Sequence, residues 1–175
     1  MSTRPRALTE LAVAVVLAGC SPALDWREFV PEGSGLHVTF PCRPDRSARR
    51  VALAGATVPM QMLACAAGDA TFAVAFADVA DPARVADALA ELQRAAVGNV
   101  GGGAPVLAPL QIAGMTPNAQ TTRLSVDGRL PDGAPVREHA AFFARGLRVY
   151  QASVIGAQPA PADVEVFIAG LRFPP

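Results

Sequence analysis

Three cysteines and two histidines are the residues of this chain that most readily bind a metal or act as nucleophiles. The cysteines are Cys20, Cys42 and Cys65, and the histidines are His37 and His139. A zinc site needs three or four such ligands, usually with two of them close together as Cys-x-x-Cys or His-x-x-x-His. Neither spacing occurs in the sequence. We therefore predict no metal site, and no cofactor follows from these residues.

Catalytic motifs are also absent from the sequence. A serine hydrolase carries Gly-x-Ser-x-Gly between a strand and a helix, and the nearest match, Gly33-Ser34-Gly35, has neither that spacing nor that context. A thiolate of Cys42 or Cys65 activated by His139 is a second option. We predict no catalytic residue, but a small periplasmic enzyme with a site assembled around His139 stays open as the alternative. That alternative requires a carboxylate within hydrogen-bond reach of His139.

The amino-terminal residues indicate where the protein is located. Arg4 and Arg6 precede the apolar run Leu11–Gly19, and this layout is typical of a secretory signal peptide. The run has nine residues, whereas a helix that spans a membrane needs about 20. The segment Leu17-Ala18-Gly19-Cys20 resembles the lipobox of bacterial lipoproteins.

This resemblance implies that Cys20 is joined to diacylglycerol and becomes the first residue after cleavage. The expected organisation is a signal peptide at 1–19, a lipidated amino terminus and tether at 20–35, and a single domain at 36–175. Because Ser21 rather than Asp follows the cysteine, the sorting rule of this class implies the outer membrane, with the domain in the periplasm. Trp26 in the tether either docks on the domain or lies at the membrane interface.

Export would leave Cys42 and Cys65 in an oxidising compartment, where a remaining pair usually forms a disulfide. Two buried thiols are the alternative. A disulfide needs Cα atoms within about 7 Å, and strands that are two apart in a sheet lie ~9.5 Å from each other. The strands that contain the two cysteines must therefore be neighbours, or the loop at Pro41-Cys42 must fold across the sheet.

Length and net charge indicate a single domain that has no general attraction for nucleic acid. Residues 20–175 are enough for one domain with a real core. All 15 basic residues are arginine, and because residues 1–19 hold two of them and one of the 15 acidic residues, the remainder has a net charge of −1. Such a surface gives no general attraction for nucleic acid. We expect the membrane, through the lipid, and an envelope protein as partners.

One cluster of positive charge stands out, at Arg43, Arg46, Arg49 and Arg50. These side chains could contact an anion such as a lipopolysaccharide phosphate. Charged runs of this kind are more often solvated turns, and the surrounding proline and serine residues favour a turn between two strands.

The hydrophobic pattern predicts an α+β domain, in which an antiparallel sheet packs against two helices. Asp81-Pro82 supplies a cap and a first-turn proline for the first helix, and the second covers about 162–171. Each helix follows a set of four predicted strands, which suggests a strand-strand-strand-strand-helix duplication. The predicted strands are 36–40, 51–53, 58–66 and 71–77, then 106–112, 119–126, 136–144 and 147–155.

This arrangement is similar to that of the Mog1/PsbP-like domains. The segments that carry the resemblance are Leu36-His-Val-Thr-Phe-Pro41 and Val166-Phe-Ile-Ala-Gly-Leu-Arg-Phe173. The resemblance implies a scaffold that binds or assists assembly, and it brings no motif residues that match here. The expected function is that of a lipid-anchored envelope protein, a non-catalytic binding or assembly-assisting module.

Overall fold

The computed structural model describes residues 24–175, and the lipobox with Cys20 lies outside these residues. The described chain is an α+β domain with one large antiparallel sheet, a separate hairpin and two α-helices. The strands are β1 (Arg27–Phe29), β2 (Val38–Phe40), β3 (Asp45–Leu53), β4 (Ala56–Ala67), β5 (Ala70–Asp78), β6 (Val106–Ala108), β7 (Thr122–Arg129), β8 (Pro135–Arg145) and β9 (Arg148–Gly156). The helices are α1 (Val85–Asn99) and α2 (Pro161–Ala169).

The large sheet has seven strands in the order β3-β4-β5-β9-β8-β7-β6. Every neighbouring pair is antiparallel. Tight turns such as Ala54-Gly55 and Gly146-Leu147 join successive strands, with positive φ at Ala54, Gly55 and Gly146. The pairing of β5 with β9 joins the first half of the chain to the second.

The sheet has a different core on each face, because successive side chains of a strand point in opposite directions. One face carries Val74, Tyr150 and Val154 and packs against α2, the hairpin and the carboxy-terminal residues; we call it the hairpin face. The other carries Ala77 and Phe142 and packs against α1; we call it the α1 face. The long apolar runs of β5, β8 and β9 are explained by this burial on both faces.

The first predicted strand lies in a different place from the one expected. Residues 36–40 were expected in the main sheet, whereas β2 pairs only with β1 in the two-stranded hairpin. That hairpin lies on the hairpin face, where Phe40 contacts Phe167 of α2 at a ring-centroid distance of 5.4 Å. Leu36, Val38 and Phe40 are fully buried there.

The folded region also begins earlier than residue 36. The N–H of Asp25 donates to the carbonyl of Pro41, and Trp26 packs edge-on against Phe72 with ring centroids 5.7 Å apart. Phe29 packs on the same core, while Val30 is exposed. Trp26 therefore docks on the domain, and the predicted boundary between tether and domain is about ten residues too late.

The arginine-rich segment is a strand, not the predicted turn. Asp45–Leu53 forms β3, an edge strand whose register with β4 runs from Asp45–Ala64 to Leu53–Ala56. The composition hid the strand because its first six residues are exposed on both faces. Charged side chains on an edge strand discourage pairing with another chain, so the arginines are compatible with this position.

The first helix begins where the sequence predicted. The Asp81 side chain accepts a hydrogen bond from the N–H of Ala83, and Pro82 begins a turn of 3-10 helix that leads into α1. Helix α1 buries its apolar side against the sheet and ends at Asn99, before the glycine run Gly101-Gly-Gly103. Helix α2 begins at Pro161 and ends at Ala169, close to the predicted range of about 162–171.

The predicted duplication is not confirmed. A duplication that relates β5 to β9, which are antiparallel neighbours, needs a two-fold axis perpendicular to the sheet, and such an axis would leave both helices on one face. Helix α1 and helix α2 lie on opposite faces. The predicted strand 106–112 also shortens to Val106–Ala108.

A disulfide joins Cys42 and Cys65, with the Cα atoms 6.0 Å apart. Cys65 lies in β4 and points to the hairpin face, and Cys42 follows β2 in the hairpin that covers this face. The bridge is therefore formed by a segment that folds across the sheet, which is one of the two arrangements that the spacing of strands permits.

Candidate functional site

Helix α1 covers only part of the α1 face. Its contacts with the sheet are concentrated on β8 and β9, with smaller ones to β3 and β7. The uncovered part is a groove of about 360 Å³ that crosses β3, β4, β5, β9 and β8. We call it the sheet groove, and its lining includes Met60, Met62, Ala64, Ala73, Ala75, Asn99, Glu138, Gln151, Ser153 and Ile155.

Small side chains keep the sheet groove open. Ala64 pairs with Ala73, Ala73 pairs with Ser153, and Ser153 pairs with Ala140, so four small residues lie side by side across the sheet. None of these side chains reaches far enough to fill the space above the strands. The neighbouring positions on the hairpin face are Leu63, Val74 and Val154, which are buried.

Glu138 is the one acidic side chain that lines the sheet groove. The residue is only 1 % exposed, and its neighbours on the same face of β8, Val136 and Ala140, are apolar. Among the described residues its carboxylate has a single hydrogen-bond partner, the Nε2 of Gln151, at 3.4 Å. Buried charges are normally paired, and Glu138 has no basic partner in the described part of the chain.

Burial raises the pKa of Glu138 to about 7, and the hydrogen bond from Gln151 opposes this rise only in part. In apolar surroundings an unpaired carboxylate lacks the hydration that stabilises its charged form in water, so the neutral form is favoured. Near neutral pH the group can therefore donate a hydrogen bond as the acid, or accept one and pair with a cation as the anion.

The arginine cluster is divided between the two sides of β3. Arg49 points to the α1 face, where it lines the sheet groove. Arg46 points to the other side, where it pairs with Glu32 at 2.8 Å and also contacts Gln61. Arg50 lies on that side too and donates to the carbonyl of Thr57, and Arg43 lies in the preceding loop beside Asp25 and Arg27. The structure therefore does not bring the four arginines together as one anion site.

His139 points to the hairpin face, away from its sequence neighbour Glu138. It lines a smaller cavity of about 170 Å³ with Val106, Ser125 and Ile168. Burial, followed by the positive charges of Arg137 and Arg123, lowers the pKa of His139. No carboxylate of residues 24–175 lies within hydrogen-bond distance of this ring, so the geometry that the enzymatic alternative requires is not met.

His37 holds the two ends of the domain together. Its Nδ1 lies 2.8 Å from Oε1 of Glu28, and Arg172 contacts the other oxygen of the same carboxylate. The two hydrogen bonds, first from His37 and then from Arg172, lower the pKa of Glu28. Because Glu28 is in β1 and Arg172 follows α2, this cluster fixes the hairpin against the carboxy-terminal segment.

Residues 24–175 contain no cluster of potential metal ligands and no helix that could span a membrane. No three His, Cys, Asp or Glu side chains in this part of the chain lie close enough together to hold a metal ion. Neither described helix has the length and apolar character of a membrane-spanning segment.

The position of Glu138 in the alternating pattern of β8 is a signal in the sequence that catalytic motifs do not include. Val136 and Ala140 are apolar residues of the α1 face, and Glu138 falls between them in the same phase of the alternation. An acid in the buried phase of a strand is unusual because burial of its charge is costly. The sheet groove itself could not be predicted, since its residues come from five strands and one helix.

Comparison with known proteins provides no family for the chain. No protein-family model matches it, and no curated protein matches its sequence.

Proposed function

We propose that this protein is a non-catalytic binding module of the bacterial cell envelope, anchored by a lipid on Cys20, and that its binding surface is the sheet groove. The observation that carries the proposal is the open part of the α1 face, with Glu138 buried and unpaired within it. A concave, mainly apolar site with a few polar groups is typical of surfaces that bind small ligands.

The composition of the groove favours binding over catalysis. Its lining contains one carboxyl group and no histidine or cysteine. General acid–base or nucleophilic chemistry usually needs a second group that holds or exchanges a proton with the first. Gln151 and Ser153 can orient a ligand by hydrogen bonds, and neither changes its protonation state near neutral pH.

The docked hairpin shortens the tether between the anchor and the domain. Because Asp25 is already bonded to Pro41, only residues 21–24 separate a lipidated Cys20 from the folded domain. Four residues extend at most about 14 Å, whereas the 15 residues 21–35 would extend about 50 Å. In this proposal the domain lies close to the membrane surface, and the hairpin next to the anchor is on the opposite face of the sheet from the groove.

The anchor is tested by intact-mass analysis of the protein purified from its native membrane, before and after reduction and thiol alkylation. We expect the mass of residues 20–175 plus lipid, with two alkylated thiols only after reduction. The Cys20→Ser variant should lose the lipid mass and leave the membrane fraction. A chain that keeps residues 1–19 and carries no lipid would refute the anchor.

The groove is tested with the neutral apolar dye Nile red and the chain 20–175 carrying Cys20→Ser, which includes the whole folded region. We expect dye fluorescence to increase on binding, and Ala73→Leu, which fills the groove floor, to reduce that increase at least fivefold. Ala52→Leu adds the same side chain at an exposed position of β3 on the other face and serves as the control. Equal dye binding by the two variants would refute the groove as the binding surface.

A further inference from the structure

We propose that the sheet groove selects a small organic ammonium ion, a protonated aliphatic amine whose charge pairs with Glu138. This inference rests on the proposed function, because it requires that the groove binds a ligand. It specifies the chemical class of that ligand from the charge, size and surface of the groove.

No positive charge lies beside Glu138 on the α1 face. Its immediate surroundings on the α1 face are Val126 of β7, Ile155 and Gln151 of β9, and Asn99 at the end of α1. None of these side chains is basic. The carboxylate therefore has no ion-pair partner among these residues, and a cation bound in the mainly apolar groove could pair with it.

The nearby basic side chains are not partners of Glu138. Arg137, its neighbour in β8, points to the other face and forms a two-bonded pair with Asp127, at 2.5 and 3.0 Å. His139 also points to that face. Arg49 is the one basic side chain in the groove lining, and it stands on the exposed edge strand β3 without an ion pair among the described residues.

The energetic consequence favours a cationic ligand over a neutral one. An ionised carboxylate in apolar surroundings is destabilised until an opposite charge approaches, and the attraction is stronger there than in water. An ammonium ion that binds would lower the raised pKa of Glu138 by stabilising its charged form. A neutral alcohol of the same length would gain only the apolar contact and one hydrogen bond.

The size and surface of the groove favour an aliphatic body. A volume of about 360 Å³ is at the lower end of the range for small-molecule sites, roughly 300–1,000 Å³. Met60, Met62 and Ile155 provide flexible aliphatic contact, and methionine adapts readily to ligands of different shape. The lining contains no aromatic side chain, so a ligand is held by aliphatic contact and not by stacking.

The alanines of the groove allow a ligand to approach the backbone of the strands closely. Ala64, Ala73 and Ala75 are adjacent on β4 and β5 and are only partly buried, so a linear ligand can lie directly on the strands. From this position its charged end reaches β8, where Glu138 lies beyond Ser153 and Ile155 of β9. A ligand of this shape matches the direction of the groove across the sheet.

The test uses three six-carbon probes, hexylammonium, hexanol and hexanoate, with the Cys20→Ser chain 20–175 labelled at the methionine methyl groups. Met60 and Met62 line the groove, while Met115 packs on the core of the hairpin face and serves as an internal reference. At pH 8 we expect both hexylammonium and hexanol to shift the signals of Met60 and Met62. The affinity of hexylammonium, obtained from these shifts, should be at least tenfold higher than that of hexanol. Hexanoate should not bind, and Met115 should not respond.

Glu138→Gln keeps the shape of the side chain and removes its charge. In this variant we expect the affinity for hexylammonium to fall at least tenfold and that for hexanol to stay within twofold. Glu32→Gln removes an exposed carboxylate on the other side of the domain and should change neither affinity. The backbone amide spectrum of each variant verifies that the domain is folded.

The outcomes separate this inference from the proposed function. If hexanol and hexylammonium shift Met60 and Met62 with equal affinity, and Glu138→Gln alters neither, the groove binds ligands and the ammonium inference is wrong. If none of the probes shifts these signals, or only Met115 responds, the inference is again wrong. If Ala73→Leu and Ala52→Leu then also bind Nile red equally, the groove is not a binding surface and the proposed function fails with it.

Discussion

Tyr150 donates its phenolic hydrogen to the carbonyl oxygen of Ser34 at 2.6 Å, across 116 residues of sequence. Tyr150 is in β9 at the centre of the sheet and stacks on Phe143 with ring centroids 5.0 Å apart. Ser34 lies in the turn between β1 and β2, and its hydroxyl donates to the carbonyl of Pro31. The bond therefore joins the amino-terminal hairpin to the middle of the sheet, between two buried residues.

Tyr150 is the only tyrosine of the chain, so its ionisation can be measured directly. Burial raises its pKa to about 12, an effect that the nearby Arg148 only partly opposes. We expect the ultraviolet absorbance of the folded protein to show no phenolate at pH 10.5, and the protein in urea to titrate near the unperturbed value of about 10. Half-ionisation near pH 10 with the circular dichroism of the folded state would contradict this prediction.

Tyr150→Phe tests the energy of the same hydrogen bond. The substitution leaves the buried carbonyl of Ser34 without this donor, which costs about 1–2 kcal/mol. Chemical denaturation of the variant and the wild type at pH 7 measures the difference. Wild-type stability in the variant would mean that the hairpin is held without this bond, by the disulfide and by aromatic contacts such as Phe40–Phe167.

Glu138 should make the domain less stable as the pH rises. The carboxyl has a pKa of 4.5 in the unfolded chain and about 7 in the folded one, so between these values the folded state binds the proton more strongly. Its contribution is therefore greatest below pH 4.5 and is lost as the pH rises towards 7. The loss is on the order of 3 kcal/mol, since one pKa unit corresponds to about 1.4 kcal/mol.

Glu138→Gln should remove this dependence. We expect the variant to be more stable than the wild type at pH 8, and equal to it near pH 4, in urea unfolding at both pH values. His139 also titrates in this range, and its lowered pKa makes the domain less stable as the pH falls below about 6.5. The difference between variant and wild type cancels that contribution, and a constant difference at both pH values would refute the prediction.

The disulfide should stabilise the folded domain by joining the hairpin to the sheet. It closes a loop between residues 42 and 65, and restriction of the unfolded chain by a loop of this length corresponds to about 3 kcal/mol. We expect a reducing agent to lower the melting temperature of the wild type by roughly 6–12 °C. The Cys42→Ala, Cys65→Ala variant should melt at this lower temperature and should not respond to the reductant. A wild type unaffected by complete reduction, verified by alkylation, would contradict the prediction.

Much of the large sheet was predictable because strands buried on both faces differ clearly in composition from turns. The apolar runs of β5, β8 and β9 and the cap at Asp81 gave boundaries within a few residues of those in the structure. The last part of strand β3 was predicted as 51–53, but its first six residues were missed because they are exposed on both faces and show no alternation of apolar and polar residues. The hairpin was placed in the wrong sheet because local pattern identifies a strand and does not identify its partner.

The candidate site was missed for a different reason. Its chemistry depends on a buried carboxyl without a basic partner, and burial on the α1 face depends on where α1 ends. Sequence reasoning named His139 as the centre of an enzymatic alternative, because a histidine can activate a thiolate, while the group whose pKa burial raises to about 7 is the adjacent Glu138. The two side chains point to opposite faces of β8. Choosing the neighbouring residue therefore moves the predicted site from the α1 face to the hairpin face.

A glycine of β7 lies directly against the residue that follows α1, beside the groove. An added Cβ at Gly128 in β7 would overlap the carbonyl oxygen of Val100, the residue that follows α1. The same oxygen accepts a hydrogen bond from the N–H of Arg129 at 2.7 Å, so it cannot move away without loss of that bond. We expect Gly128→Ala to destabilise the domain by about 2 kcal/mol and to shift the signals of the groove residues Met60 and Met62.

Gly103→Ala is the matched control, because an added Cβ at this exposed position contacts nothing within 4 Å. We expect its free energy of unfolding to remain within about 0.5 kcal/mol of the wild type. Equal stability of the two variants would mean that the segment after α1 adapts to the added methyl group. In that case the end of α1 would be mobile relative to β7, and the position of Asn99 at the edge of the groove would not depend on Gly128.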